Sequence, residues 1–213
     1  MQINERRAAK FKRVVDCRQT NLTVILENVH DQHNIGAVLR SCDSVGIHEI
    51  FVLFTEEGLS QEKIKLGKKS SGGTRKWVDV HFYKDIDACF KHVRSKYEQI
   101  WATHLSGSSQ SLFDLDLTQS IAFLFGNEKN GLSQEVLAYA DANFLVPQVG
   151  MAESLNISVA CAVSLYEAYR QRNSKGWYED ANPSSKQFKK ALLEEYYQRH
   201  DSRESPIDAK LIR

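Results

Sequence analysis

A lone arginine on a helix face cleared of bulk is the first candidate for chemistry in this chain. In NIGAVLRSCDSVG, Ile35, Val38, Leu39, Cys42 and Val45 fall on one stripe at helical spacing, and Gly46 ends it. Arg40 lies off that stripe, with Gly36 four residues before it and Ser44 four after. A guanidinium that only faces solvent has no need of small neighbours, whereas one approached by a ligand or a phosphate does. Asn34, which opens the segment, suits a helix cap. A second cluster, Gly150, Ser154 and Asn156, lies in a loop ahead of another helix, where polar side chains either cap unpaired N–H groups or bind a ligand. Thr103, Gly126 and Val146 end β-prone runs. Ligands of parallel sheets sit beyond the carboxyl ends of strands, so these three are expected to wall a pocket.

Other chemistries are excluded by spacing. Gly67, Lys68, Lys69 and Ser70 hint at a P-loop, but the glycine required five residues before Gly67 is Glu62. The loop can still hold RNA phosphates through lysines and backbone amides. No GxGxxG follows a strand, so a Rossmann dinucleotide site is unsupported. Cys17, Cys42, Cys89 and Cys161 form no CxxC pair, and no Cys or His follows His30 and His33 at a zinc-like interval. Reduced thiols and no metal are expected. No apolar run approaches the ~20 residues of a membrane helix, and the basic first residues lack the apolar core of a signal peptide. A soluble, cytoplasmic protein is the expectation.

The elements that must position these residues alternate between two periods. Strands are predicted at LTVIL (22–26), EIFVLF (49–54), WVDVHFY (77–83), QIWATHL (99–105), IAFLF (121–125) and NFLVPQV (143–149). Helices are expected over 4–18, from Asn34 to Gly46, from Ile86 to Tyr97, from Ser133, up to Arg172, and from Pro183 to about Arg199. The fold class is therefore α/β, a mainly parallel six-stranded sheet with helices on both faces. The helix ending at Arg172 has two packable sides, Leu155, Val159, Ala162, Val163 and Tyr166 on one, Ile157, Ala160, Cys161, Ser164 and Ala168 on the other. One side suits its own sheet and the other a partner subunit.

The net charge of the 213 residues is only +1, yet charge is sorted. Residues 1–20 carry six Lys/Arg against two acids, residues 61–76 six against one, and residues 170–213 ten against seven. Such segregation suits a protein that grips phosphates without becoming generally adhesive. Arg6, Arg7, Lys10, Arg13, Lys68, Lys69, Arg75, Arg170 and Arg172 are the candidate RNA contacts, with Lys186, Lys189 and Lys190 beyond them. Three regions follow: a basic N-terminal helix (1–20), the α/β domain (21–172) and a C-terminal helical extension (173–213).

Three ordered segments, NIGAVLRSCDSVG, FLFGNEKNGLS and GMAESLNISVACAVSLYEAYRQR, resemble the three signatures of the SPOUT superfamily of RNA methyltransferases. The likeness runs over about 21–172 and is nearest the TrmH type, which methylates a ribose 2′-hydroxyl of a tRNA D-loop guanosine. It implies a C-terminal deep trefoil knot, S-adenosylmethionine as methyl donor, and a homodimer joined through the last helix of the knot. It also implies that Arg40 is catalytic, with Asn34, Glu128, Ser154 and Asn156 positioning it and the ribose or its phosphate. Thr103, Gly126, Val146, Met151 and Leu155 would contact the donor mainly through backbone groups. A guanidinium is a poor base, costing on the order of 7 kcal/mol to deprotonate at neutral pH. The expected role is thus to organise phosphate and stabilise the alkoxide, while a phosphate oxygen or water takes the proton. The alternatives are a ribosomal RNA ribose methyltransferase and an RNA-binding protein that kept the fold without the chemistry.

Overall fold

Every residue of Leu22–Glu27 is buried, as in a strand covered on both faces. In the computed structural model, which describes residues 3–56 and 73–202, this strand, β1, lies inside a seven-stranded sheet. Its neighbours are β2 (Glu49–Leu53), β3 (Asp79–Tyr83), β4 (Gln99–Thr103), β5 (Gln110–Ser111), β6 (Ile121–Phe125) and β7 (Ala142–Leu145). The order is β3-β2-β1-β6-β4-β7-β5, with every pairing parallel. The two-residue β5 is the strand that a six-strand reading misses. GSSQS has neither alternation nor apolar content, and its pairing with β7 is set by tertiary contact.

Alternation along β1 divides the core. Leu22, Val24 and Leu26 face α2 (Gln32–Ser44) and α5 (Ile157–Ser174), whereas Ile25 faces α3 (Ile86–Arg94) and α4 (Gln134–Leu137). Two expectations change. The cap of α2 is Asp31, whose side chain accepts from the His33 amide at 2.8 Å, so Asn34 lies inside the first turn with its side chain free for other bonds. The small-residue side of α5 meets α2, with Cys161 beside Cys42, instead of a partner. Val159 and Tyr166 on its other side are exposed.

The two terminal extensions are one structural unit. Phe11 and Val15 of α1 (Glu5–Asp16) pack with Leu192 and Tyr196 of α6 (Lys186–Asp201), against Trp77. Arg18 fastens this unit to the sheet domain. Fully buried, it donates to the Tyr196 hydroxyl at 2.6 Å, to the Asp43 carboxylate at 2.6 Å and to the Ile47 carbonyl at 2.8 Å. Aromatic packing supplies the apolar burial, and the guanidinium supplies the geometry.

Below β2 sits a buried charge. Glu49 receives Lys96 Nζ at 2.7 Å, His81 Nε2 at 2.8 Å and the Tyr97 hydroxyl at 3.0 Å. Burial alone would raise its carboxyl, but the His81 hydrogen bond and the neighbouring cations override it and hold it far below the ordinary 4.5. His48, also adjacent, is itself pushed down by burial, which leaves Lys96 as the dependable counter-charge at neutral pH. A depressed carboxyl stabilises the fold above its unfolded value and loses that contribution as pH falls towards the folded one. Urea titrations should show stability dropping below pH 4.5. Glu49→Gln should cost about 3 kcal/mol at pH 7 and flatten the acid limb; an unchanged slope would contradict this.

Candidate active site

Three segments far apart in sequence meet at the start of α2. Asn34 donates through Nδ2 to the Glu128 carboxylate, and its Oδ1 accepts from Asn156 Nδ2 at 3.2 Å. Asn156 is at once the cap of α5: its Oδ1 accepts the Ser158 N–H at 2.8 Å and the Ser158 hydroxyl at 2.6 Å. Capping and bridging are thus done by one side chain. Each bond falls at the carboxyl edge of the sheet, because α2 follows β1, the Glu128 loop follows β6 and the Asn156 loop follows β7.

Arg40 stands exposed nearly two turns further along α2 and makes no hydrogen bond or ion pair among the described residues. Ser44, one turn on, accepts from the half-exposed Tyr166 hydroxyl at 3.3 Å, so α5 borders the arginine's face. Gly36 is buried instead of open. Ser154 is exposed in the loop before α5 and, among the described residues, does not join the Glu128–Asn34–Asn156 chain. The arrangement holds polar groups in fixed relation at the head of a helix that carries an exposed cation nearly two turns on, which suits orientation of a hydroxyl and an anion.

The loop bearing Glu128 is folded tightly on itself. A Cβ on Gly126 would lie 2.2 Å from the Gly131 backbone, so only glycine fits there. Asn127 and Gly131 exchange backbone bonds at 3.2 and 3.0 Å, and Asn127 Oδ1 accepts the Lys129 and Asn130 amides at 2.9 and 2.7 Å. Asn28, at the end of β1, has φ of 51° and accepts the Thr55 amide at 2.8 Å. Glu56 then pairs with His30 at 2.8 Å. The sequence reading missed Asn28, Glu56 and Asn127. Asparagine directly after a strand, where its short side chain tolerates left-handed backbone, is the signal available for Asn28.

Among the donor candidates, Thr103 Oγ1 donates to the Leu124 carbonyl at 3.2 Å, and Val146 packs partly against the main core. Gly126 and Leu155 are half-buried, and Met151 is fully exposed, as is Val149. These residues lie along the carboxyl edge of the sheet and in the loops that follow it. Two clefts, of about 430 and 630 Å³, lie beside His104 and Asn143 and beside Thr55 and Tyr139, and none of the five lines either. Among the described residues no group of three His, Cys, Asp or Glu could hold a metal ion, and no helix is long and apolar enough to cross a membrane.

The basic candidates separate. Arg6, Lys10 and Arg13 are exposed on α1 and Arg75 is half-buried. Arg170 is exposed but bound to Glu167 at 2.7 Å. Arg7 is half-buried, with its guanidinium 5.1 Å from the Phe11 ring and 5.6 Å from that of Trp77, a packing role. Arg172 is a correction. It is fully buried, donating to the carbonyls of Leu117 and Gln119 at 2.9 and 2.8 Å and to Asn21 Oδ1 at 2.6 Å, and burial pulls its guanidinium down to about 10. The end of α5 points it at loops that enter β1 and β6, where it satisfies their carbonyls instead of facing RNA. Lys68 and Lys69 lie outside the described residues.

The model of the SpoU rRNA Methylase family matches residues 21–166. The tRNA (guanosine(18)-2′-O)-methyltransferase of Thermus thermophilus is 37% identical over 190 residues, covering 89% of this chain and 95% of that one. Among solved structures, the TrmH/SpoU tRNA modifying enzyme of A. aeolicus superposes with a TM-score of 0.79 at 33% identity, covering 91% and 96% of the two chains. The SpoU methyltransferase AviRb of Streptomyces viridochromogenes, in complex with the cofactor AdoMet, gives 0.65 at 28%, covering 74% and 60%.

Proposed function

Because the chain belongs to the SpoU rRNA Methylase family, we propose that it transfers a methyl group from S-adenosylmethionine to a ribose 2′-hydroxyl of tRNA, at the D-loop guanosine. The observation that carries this reading is the hydrogen-bonded chain Glu128–Asn34–Asn156 at the head of the helix that presents Arg40. Relatives that span nearly the whole chain, extensions included, are named for guanosine 18 of tRNA.

Bound donor supplies a methyl group on a cationic sulfur. Thr103, Gly126, Val146, Met151 and Leu155 would hold it: the turn at Gly126 brings backbone N–H and C=O groups to the strand edge, and Val146, Met151 and Leu155 offer apolar surface. The Glu128–Asn34–Asn156 chain would fix the ribose. Arg40 engages a phosphate and the oxygen that gains negative charge, while a phosphate oxygen or water accepts its proton. Ser154 is assigned the same neighbourhood as a contact to ribose or phosphate.

We further assign a deep trefoil knot to the C-terminal part of the sheet and a homodimer to the exposed apolar surface of Val149, Met151, Val159 and Tyr166. Residues 1–20 and 173–213 act together as an RNA-holding unit, with Arg6, Lys10 and Arg13 exposed on it. That unit meets α2 at Asp43, about 13 Å along the helix from Asn34, so RNA gripped by the terminal helices passes Arg40 on its way to the ribose-binding end. As an enzyme acting on tRNA, it would work in the cytoplasm.

Incubation of the protein with labelled S-adenosylmethionine and either tRNA or ribosomal RNA, followed by mapping of ribose methylation, tests the reading. The expected result is one 2′-O-methylguanosine in the tRNA D-loop. Donor at ~100 times its Kd should also stabilise the fold by about 2.7 kcal/mol. Methylation of ribosomal RNA alone would replace the substrate, and donor binding without transfer to either RNA would reject the activity.

A further inference from the structure

Glu27 is out of place by the rules that built its strand. It ends β1, a central parallel strand otherwise filled by apolar residues and Thr23, and is 1% exposed. Its Oε2 accepts the Ser133 amide at 3.0 Å. Its Oε1 is buried and has no hydrogen-bond partner among the described residues. A buried carboxylate with one oxygen unpaired is a net liability, and an apolar side chain of the same volume would serve stability as well or better. Such costs persist where they serve a function.

The one side-chain hydrogen bond Glu27 makes among the described residues joins the two halves of the candidate site. Ser133 closes the loop that begins at Gly126 and carries Glu128, and it caps α4 by accepting the Val136 amide at 3.3 Å. Four residues beyond Glu27, Asp31 caps α2 and sets Asn34 in its first turn. The tip of β1 therefore holds one partner of the Asn34–Glu128 bond through the backbone and the other through the Glu27 carboxylate. At the near end of the loop, register continues the same pairing, since Leu26 faces Phe125, the residue before Gly126. With the Gly126 end fixed by the sheet and the Ser133 end by Glu27, the loop between has its ends fastened on either side of Glu128.

We propose that Glu27 is a positioning residue for methyl transfer, acting through Glu128 by clamping the 126–133 loop to β1. The proposal rests on the assignment of Asn34 and Glu128 to the active site. Four variants, E27M, E27Q, E128A and E27M/E128A, are compared by single-turnover methyl transfer to tRNA, by tRNA affinity and by melting temperature. E27M should melt at or above wild type and bind tRNA normally, yet transfer methyl roughly 10- to 100-fold more slowly, as a misplaced loop would. E27Q keeps the acceptor and should stay near the wild-type rate. E27M/E128A should be no slower than E128A, because a clamp has nothing left to position. A wild-type rate for E27M, an E27Q as slow as E27M, or a full further loss from E27M in the E128A background overturns the clamp. An E27M that does not fold overturns the proposal as well, because the carboxylate would then serve the fold and not the loop. E128A at the wild-type rate would instead overturn the active-site assignment, and the clamp with it.

Discussion

Arg40→Lys is expected to lower single-turnover methyl transfer by about two to three orders of magnitude, the scale seen when one preorganised donor to a developing oxyanion is removed. The affinities for S-adenosylmethionine and tRNA should persist. Lysine keeps the charge but replaces a planar fork of donors by a compact ammonium, which cannot hold a phosphate and an alkoxide at fixed angles together. The substitution is clean because Arg40 is exposed and makes no hydrogen bond or ion pair among the described residues, so stability should move by no more than ~0.5 kcal/mol. Rapid-quench methylation alongside filter binding would check both halves. Turnover near wild type would remove Arg40 from the mechanism.

The largest expected stability effect lies elsewhere, at Arg18. Its removal in Arg18→Ala leaves the Asp43 carboxylate without its buried cation and strips donors from Tyr196, Ile47 and Trp77. A broken buried pair costs about 3–5 kcal/mol, which in a chain of this size lowers the melting temperature by on the order of 10 °C. Scanning calorimetry would register it. A shift as small as that of the exposed Arg170→Ala would mean that the terminal unit is not fastened through this residue. Deletion of the chain from Asn182 onward should do similar damage, because Asn182 and Ser184 also donate to the Arg18 carbonyl, at 3.2 and 2.8 Å. A truncated protein that fails to bind RNA would then report lost folding as much as lost contacts.

What the sequence disclosed follows from where short-range signals exist. Long strands such as Leu22–Glu27 and Ile121–Phe125 announce themselves, because burial on both faces demands an unbroken apolar run. The stripe on α2 did the same for that helix. The two-residue Gln110–Ser111 strand is fixed only by its neighbour, and no local pattern encodes it. Arg172 shows the limit for charge: seen as sequence it is one cation among several at a helix end, and only the fold reveals that its guanidinium faces inward. Asn34, Glu128 and Asn156 were gathered by likeness to a family, since residues 94 and 122 positions apart carry no spacing signal. Glu27 went unread for the opposite reason. The apolar run LTVIL stops at Leu26, so Glu27 reads as the first polar residue of a loop, whereas the strand carries on through it.

The order of the sheet sets a schedule for synthesis. Leu22 pairs with Ile121, roughly 100 positions later, so at about 5–20 residues per second the nascent β1 waits some 5 to 20 s for the strand that will lie against it. Through that interval one long edge of an apolar segment is bare on the ribosome, a template for pairing with other chains. Growth at higher temperature or overproduction should therefore harm this protein first by aggregation of half-made chains, before any finished molecule unfolds.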